Sequence, residues 1–351
     1  MLILSGIFFY YLLMLLLKKQ DHQRAAIYLA EFIVIVFLLG FYLKGFYYGN
    51  FLIKQAKLVL IILGAVYLLI VLPINLLKDN HETLFKGNVV LSVSLRFLKF
   101  LFNKNYFSSK YRFFESQEEK QKFLFFLVKI IFIPIMLNYF IMYVVDLYDF
   151  FTNLTDFSII FTQFTWFFLL TYIIFSIDTL FFSFGYIVES KKLNNVVKSV
   201  DPSILGWLSA LSCYKPFNSV TYHLFPLFTN ENIFWINNTV TTLIYLMVLV
   251  FYLIFVWSTI ALGYKCSNLT NRGIVSRGPY RFVRHPAYIS KVLAWWIFCI
   301  PIFNLKVLIS MIIWSLIYFI RAYTEERHLS ADPDYINYCG KVKFRFIPYV
   351  Y

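Results

Sequence analysis

The chain alternates between long apolar runs and short charged segments from end to end. Runs long enough to span a bilayer, about 20 residues each, occur at Met1–Leu17, Ala25–Leu43, Leu58–Leu77, Phe123–Val145, Phe157–Val188 and Thr239–Gly263. A tight pair, Ala287–Phe303 and Leu305–Ile320, follows. Between the fifth and sixth runs lies Ile204–Phe228, apolar overall but punctuated by Gly206, Lys215, Pro216, His223 and Pro226. Such a segment reads as a broken or re-entrant piece, because lipid tolerates irregular backbone only where protein or a cavity covers it. The pattern predicts an all-α, polytopic membrane bundle of about 8–9 membrane segments, ending in a helical hairpin.

Composition fits that solvent. Of 351 residues, 60% are hydrophobic and 14% charged, against roughly 45–50% and about 25% in soluble domains. The segments between runs are too short to hide a large soluble domain. The formal charge of +14 sits in those connecting segments, as the positive-inside rule produces in cytoplasmic loops. Nucleic-acid binding is disfavoured, since the basic residues alternate with spans instead of lining one soluble face. Counting the broken piece as one crossing puts Lys18–Arg24, His81–Lys122, Glu189–Ser203, Tyr264–Pro286 and the C-terminal tail on one basic, cytoplasmic side. Met1–Leu17 has no basic n-region or small-residue cleavage site and reads as a retained first span. Cys213, Cys266, Cys299 and Cys339 show no paired CxxC spacing, so no metal site is expected.

Three ionisable features inside apolar surroundings stand out. Leu84–Phe102, interrupted by Arg96 and Lys99, reads either as a basic amphipathic helix on the leaflet or as a segment packed under the bundle. Lys129 lies near the end of its run, where snorkelling suffices. Asp178 lies within its run and is the better pocket residue, because an intramembrane carboxylate needs a partner or an aqueous cavity.

Chemistry concentrates after Gly263. The loop Tyr264–Pro286 carries Lys265, Arg272, Arg277, Arg281 and Arg284 with no acidic residue. Gly278-Pro279 marks a turn, and Pro286 suits the first turn of a helix, so the loop delivers Arg284 and His285 to a helix N-terminus that favours anions. After the hairpin, Arg321 and Glu325 lie one turn apart on one helix face, either as a surface salt bridge or as a pocket wall folded back against the His285 loop.

These residues resemble a family. The string from Arg272 through Gly278-Pro279-Tyr280 to Arg284-His285-Pro286-Ala287-Tyr288, then Arg321-x-x-x-Glu325-Glu326, and the ending Tyr338…Arg345-Phe-Ile-Pro348 are similar to the isoprenylcysteine carboxyl methyltransferase and phospholipid methyltransferase group. The resemblance covers about residues 239–351, taken as a catalytic module behind an N-terminal bundle, 1–238. It implies S-adenosylmethionine as cofactor, contacted by Arg272, Gly273, Ile274, Val275, Tyr280, His285, Pro286, Ala287, Tyr288 and Glu325. Arg321 and, as its neighbour, Glu326 are the implied catalytic residues, with Arg321 orienting the acceptor. The expected acceptor is lipidic or amphipathic and reached from the bilayer. The expected setting is a prokaryotic cytoplasmic membrane with the cofactor site facing the cytoplasm. Arg272 stands where isoprenylcysteine enzymes can carry His, and Ile289-Ser290 replaces a small Gly, so acceptor identity stays open.

Two rivals remain at this stage. The ending Pro348-Tyr-Val-Tyr351 also suits a sterol-reductase-like, NADPH-dependent protein. A transporter or lipid-binding protein would explain spans and basic loops but not three ordered C-terminal blocks.

Overall fold

The computed structural model describes residues 22–45, 48–77, 83–102, 113–154, 165–215, 217–218 and 238–350. The proposed span Met1–Leu17 and residues 219–237, including His223 and Pro226, lie outside these. Among the described residues, six helices are long and apolar enough to cross a membrane, which makes the protein an all-α, polytopic membrane bundle. They match the expected runs from Ala25 onward, with one correction. The first arm of the hairpin is the 13-residue helix Pro286–Phe298, followed by a tight turn; at about 1.5 Å per residue it is too short to cross alone. Pro301 at the turn stops its extension, since proline has no N–H to donate.

The chain divides into two compact units, residues 1–134 and 135–351. The first contains α1 (His22–Lys44), α2 (Tyr48–Phe51), α3 (Lys54–Val66), continued by a π-turn into α4 (Leu72–Leu77), and α5 (Gly87–Phe102). Its organising group is Glu31, fully buried on α1. The carboxylate accepts the Phe85 and Gly87 N–H groups at 2.6 and 2.7 Å and the Tyr67 hydroxyl at 3.1 Å. A buried charge persists only with such partners, and here it also satisfies orphan donors at the start of α5. A Cβ on Gly87 would lie 2.7 Å from the Glu31 nitrogen, so no larger residue fits. Lys129 does not snorkel: it is buried and donates to the Leu84 carbonyl at 2.6 Å. Of α5, Val90 and Val93 are buried while Leu95, Leu98, Leu101 and Phe102 are exposed.

The boundary between the units falls within α6 (Gln117–Thr152), next to Pro134. At 36 residues, α6 is about 54 Å long, well beyond a hydrocarbon core of about 30 Å.

The second unit is built from α7 (Thr165–Ile187), the short α8 (Ile204–Leu211), α9 (Asn238–Leu262), α10 (Pro286–Phe298), α11 (Leu305–Leu329) and α12 (Pro333–Lys341). The core of α7, α9 and α10 is aromatic: Phe167 stacks on Tyr245 at 4.1 Å and Phe298 stacks on both. The expected broken piece begins as α8, capped by Ser203, whose hydroxyl accepts the Gly206 N–H. Asn304 caps α11 in the same way through Val307, and both caps satisfy donors that helix starts leave open. A two-residue antiparallel ladder, β1 (Ser199–Val200) with β2 (Thr270–Asn271), ties the segment before α8 to the loop after α9. Gly185 makes room for that loop, since a Cβ there would lie 2.1 Å from the Cys266 carbonyl oxygen.

Candidate active site

The basic loop after α9 is a rigid frame. Asn268 donates its N–H to the Tyr186 hydroxyl at 2.6 Å. Arg272 is buried and donates through Nη1 to the Asn195 side chain and carbonyl and through Nε to the Ser267 hydroxyl. Burial pulls Arg272 down to about 10, still charged at neutral pH. Gly273 takes a positive φ of 87° and donates its N–H to Asn271, a conformation that favours glycine. Ile274 packs against Tyr335 and Tyr338 of α12.

The loop then enters the helix start that the sequence predicts, and the C-terminal tail clamps it there. The Arg284 and His285 N–H groups donate to the Phe344 and Arg345 carbonyls, each at 2.9 Å. The Tyr338 hydroxyl donates to the Tyr280 carbonyl at 2.6 Å. Removal from water pushes the Tyr280 phenol well above its usual range, so it stays protonated.

Consecutive acids on α11 take different partners. Glu326 is buried and gathers three basic groups: His285 Nε2 and Arg284 Nη1 at 3.1 Å on one oxygen, Arg345 Nε at 2.9 Å on the other. Glu325 is exposed and accepts the Tyr288 hydroxyl at 2.7 Å. One turn earlier, Arg321 is buried and donates through Nη2 to Asn268 Oδ1 at 2.8 Å. The rings of Tyr214, Tyr288 and Tyr318 surround it, with centroids 5.0–5.9 Å away. Aromatic faces stabilise a cation where water is scarce. The surface salt bridge between Arg321 and Glu325 is not formed.

Two cavities meet at these residues. The larger, about 660 Å³, is lined by Tyr280, His285, Ala287 and Tyr288 from the loop and α10, and reaches Asp178 and Lys291 at its apolar end. The smaller, about 410 Å³, is lined by Asp201, Gly206 and Ser209 around α8 and by Thr324 and His328 of α11. Tyr288, Arg321 and Glu325 belong to both walls.

Of the residues expected at the cofactor, Tyr280, His285, Ala287, Tyr288 and Glu325 therefore share one cleft with Arg321. Arg272, Gly273, Ile274, Val275 and Pro286 line neither of these two cavities; they build the frame. Glu326 lies behind His285, on neither wall. Lys291 escaped the sequence reading although it sits in an apolar run, the signal that singled out Asp178. Its ammonium lies over the Phe175, Phe255 and Trp295 rings at 4.9–5.6 Å, and the Asp178 carboxylate across the cleft accepts the Thr259 hydroxyl at 2.6 Å. Asn268 and Ser209 carry no sequence signal; only the folded loop and α8 bring them to the site.

The phospholipid methyltransferase family model matches residues 239–332. The match starts with α9 and ends at the cap of α12, so it takes in the frame, the His285 block and the Glu325-Glu326 block. It leaves α8 and the C-terminal clamp outside. No curated protein and no solved structure matches the chain. The matched segment is similar to that of the phospholipid methyltransferases, a group the residues themselves suggested.

Proposed function

We propose that the protein transfers a methyl group from S-adenosylmethionine to a lipidic or amphipathic acceptor drawn from the bilayer, at a site on the cytoplasmic side of a prokaryotic membrane. One observation carries this reading: Tyr280, His285, Tyr288 and Glu325, brought from two separate blocks, line a single cleft bounded by Arg321. The donor set fits the cofactor. Tyrosine rings and an exposed carboxylate suit a cationic sulfonium, while the Arg321 fork, held at one edge by Asn268, keeps donors for an oxygen of the acceptor.

The cofactor supplies a methyl group on an already activated leaving group, so the chain contributes alignment and charge. Tyr288 stacks on His285 at 5.5 Å and 4°, which fixes its ring against the cleft while its hydroxyl holds Glu325. Glu326 positions His285 from behind. Arg321, on both walls, orients the acceptor towards the methyl group. An amine or hydroxyl acceptor also releases a proton on methylation, and Glu325 is the nearest exposed base.

Calorimetry on the purified full chain in detergent, S-adenosylmethionine against NADPH, tests the assignment. Binding of the first in the micromolar range is expected, lost in His285→Ala and Glu325→Ala with the protein still folded. Binding of NADPH instead would turn the reading to the reductase.

A further inference from the structure

We propose that the smaller cavity is the head-group subsite of the methyl acceptor, and that its occupant is an amphiphile with a hydrogen-bond-donating head, an amine or a hydroxyl, and a tail lying along the outer face of α8. This rests on the methyltransferase reading and adds which cavity takes which partner.

The first ground is the shape of α8. Ile204, Leu205 and Leu208 are 78%, 44% and 60% exposed, whereas Gly206, Ser209 and Ala210 are buried. An apolar stripe turned outward on a helix of 8 residues, only about 12 Å long, matches an element lying in the membrane interface, not one that spans or sits in water. The helix is also fixed in place. Trp207 Nε1 donates to the Asp201 carbonyl at 2.8 Å, the Ser203 hydroxyl accepts the Gly206 N–H, and Arg327 of α11 reaches that same hydroxyl.

The second ground is what its inner face leaves open. Small side chains at Gly206, Ser209 and Ala210 form one wall of the cavity, which opens onto Tyr288, Arg321 and Glu325 of the cofactor cleft. A head placed there abuts the methyl donor while its tail stays in lipid beside Ile204 and Leu208. A water-soluble cofactor has no use for an apolar outer stripe.

The third ground is charge. In a protein of net charge +14, this wall carries two carboxylates, Asp201 and Glu325, against one guanidinium, Arg321; Glu325 and Arg321 are shared with the neighbouring cleft, and Asp201 belongs to this cavity and not to that cleft. Asp201 is buried, with one oxygen on the Ser203 N–H at 2.8 Å and the other beside Gly206, where even a Cβ would come within 2.1 Å. A carboxylate head would meet two like charges, whereas an amine or hydroxyl finds acceptors. Because α8 lies outside the family-matched segment, acceptor choice falls to a part of the chain that the shared module does not supply.

The test uses the full chain in nanodiscs and three hexadecyl probes bearing a tail diazirine, with amine, hydroxyl or carboxylate heads. Photo-adducts are mapped by mass spectrometry, and S-adenosylmethionine affinity is measured on the same preparations. Adducts are expected on the 204–211 peptide for the amine and hydroxyl probes, and about tenfold weaker for the carboxylate. Ser209→Phe, which fills the cavity, removes them while cofactor affinity stays within about twofold; Ser209→Leu serves if the larger residue unfolds the protein. Leu208→Glu weakens labelling and keeps the head preference. Equal labelling by all three heads, adducts that survive the filled cavity, or loss of cofactor affinity along with them overturns the proposal. Amine-selective labelling in a protein that does not bind S-adenosylmethionine defeats the methyltransferase reading and leaves the amphiphile site standing.

Discussion

Replacing Glu326 by Gln keeps the shape of the side chain and removes the charge that three basic groups share. His285 and Arg345 hydrogen-bond the carboxylate and Arg284 forms an ion pair with it, all at 2.9–3.1 Å, and a hydrogen bond to a charged group is worth about 1.5–3 kcal/mol. Arg345 is 34% exposed and contributes less than about 1 kcal/mol after solvent screening. Arg284 retains its bond to the Lys343 carbonyl, so the main loss falls on His285. An amide oxygen still accepts one bond, which leaves a net deficit of about 3 kcal/mol. If that deficit appears as disorder of His285 at the cleft wall, it equals roughly a 100-fold weaker affinity for S-adenosylmethionine. Calorimetry measures this directly. Arg345→Ala should cost no more than about fivefold, since it removes only the exposed partner. Glu326→Gln with affinity within twofold of the parent, and a melting point unchanged, would refute the positioning role. A fall in turnover at unchanged affinity would return Glu326 to the chemistry itself.

Arg321→Lys should keep cofactor affinity while methyl transfer to the native acceptor, found by screening lipid extracts with labelled cofactor, falls about 100-fold, because an ammonium cannot span Asn268 and the acceptor as a fork does; turnover at the parent rate removes the acceptor role. Single-cysteine variants at Ser276 and Val350 should label from the same, cytoplasmic face, and labelling from opposite faces would break the topology. Gly185→Ala should destabilise the second unit by about 2 kcal/mol or more, since its new Cβ would sit 2.1 Å from a backbone oxygen; a thermal-shift measurement at the parent value would show that the loop can move away.

The membrane bundle was legible because its signal is additive along the chain. A run such as Thr239–Gly263 declares itself by length and hydropathy, and the helix Asn238–Leu262 follows. The short α10 was not, because the apolar turn Cys299–Phe303 reads as the end of the first arm, Ala287–Phe303, whereas the helix stops at Phe298 ahead of Pro301. At the site, motif residues with fixed spacing, Tyr280, His285, Tyr288 and the pair Glu325-Glu326, were readable as a group. Their division of labour was not. Nothing in two adjacent glutamates says that one faces a cleft and the other a cluster of cations; a helix turns 100° per residue, and what lies on each side comes from Arg284, Arg345 and Tyr288, distant in sequence. Lys129 makes the same point in the first unit, where position near the end of a run suggested snorkelling and the Leu84 carbonyl took the ammonium instead.

Arg272 carries the argument furthest. Within its motif it reads as a contact to cofactor; folded, its Nη1 bonds Asn195 and its Nε bonds Ser267. Those bonds tie the segment before α8 to the loop after α9, beside the two-residue ladder that does the same with backbone. A motif arginine can therefore serve a site it does not touch, by holding the part of the chain that walls the second cavity against the part that walls the first. On that reasoning Arg272→Gln should disturb both ends together, weakening cofactor affinity and amphiphile labelling by similar factors. Arg272→Lys, which keeps the charge but not the fork, should fail in the same way. Loss of cofactor affinity alone, with labelling on 204–211 intact, would instead mark Arg272 as a direct ligand.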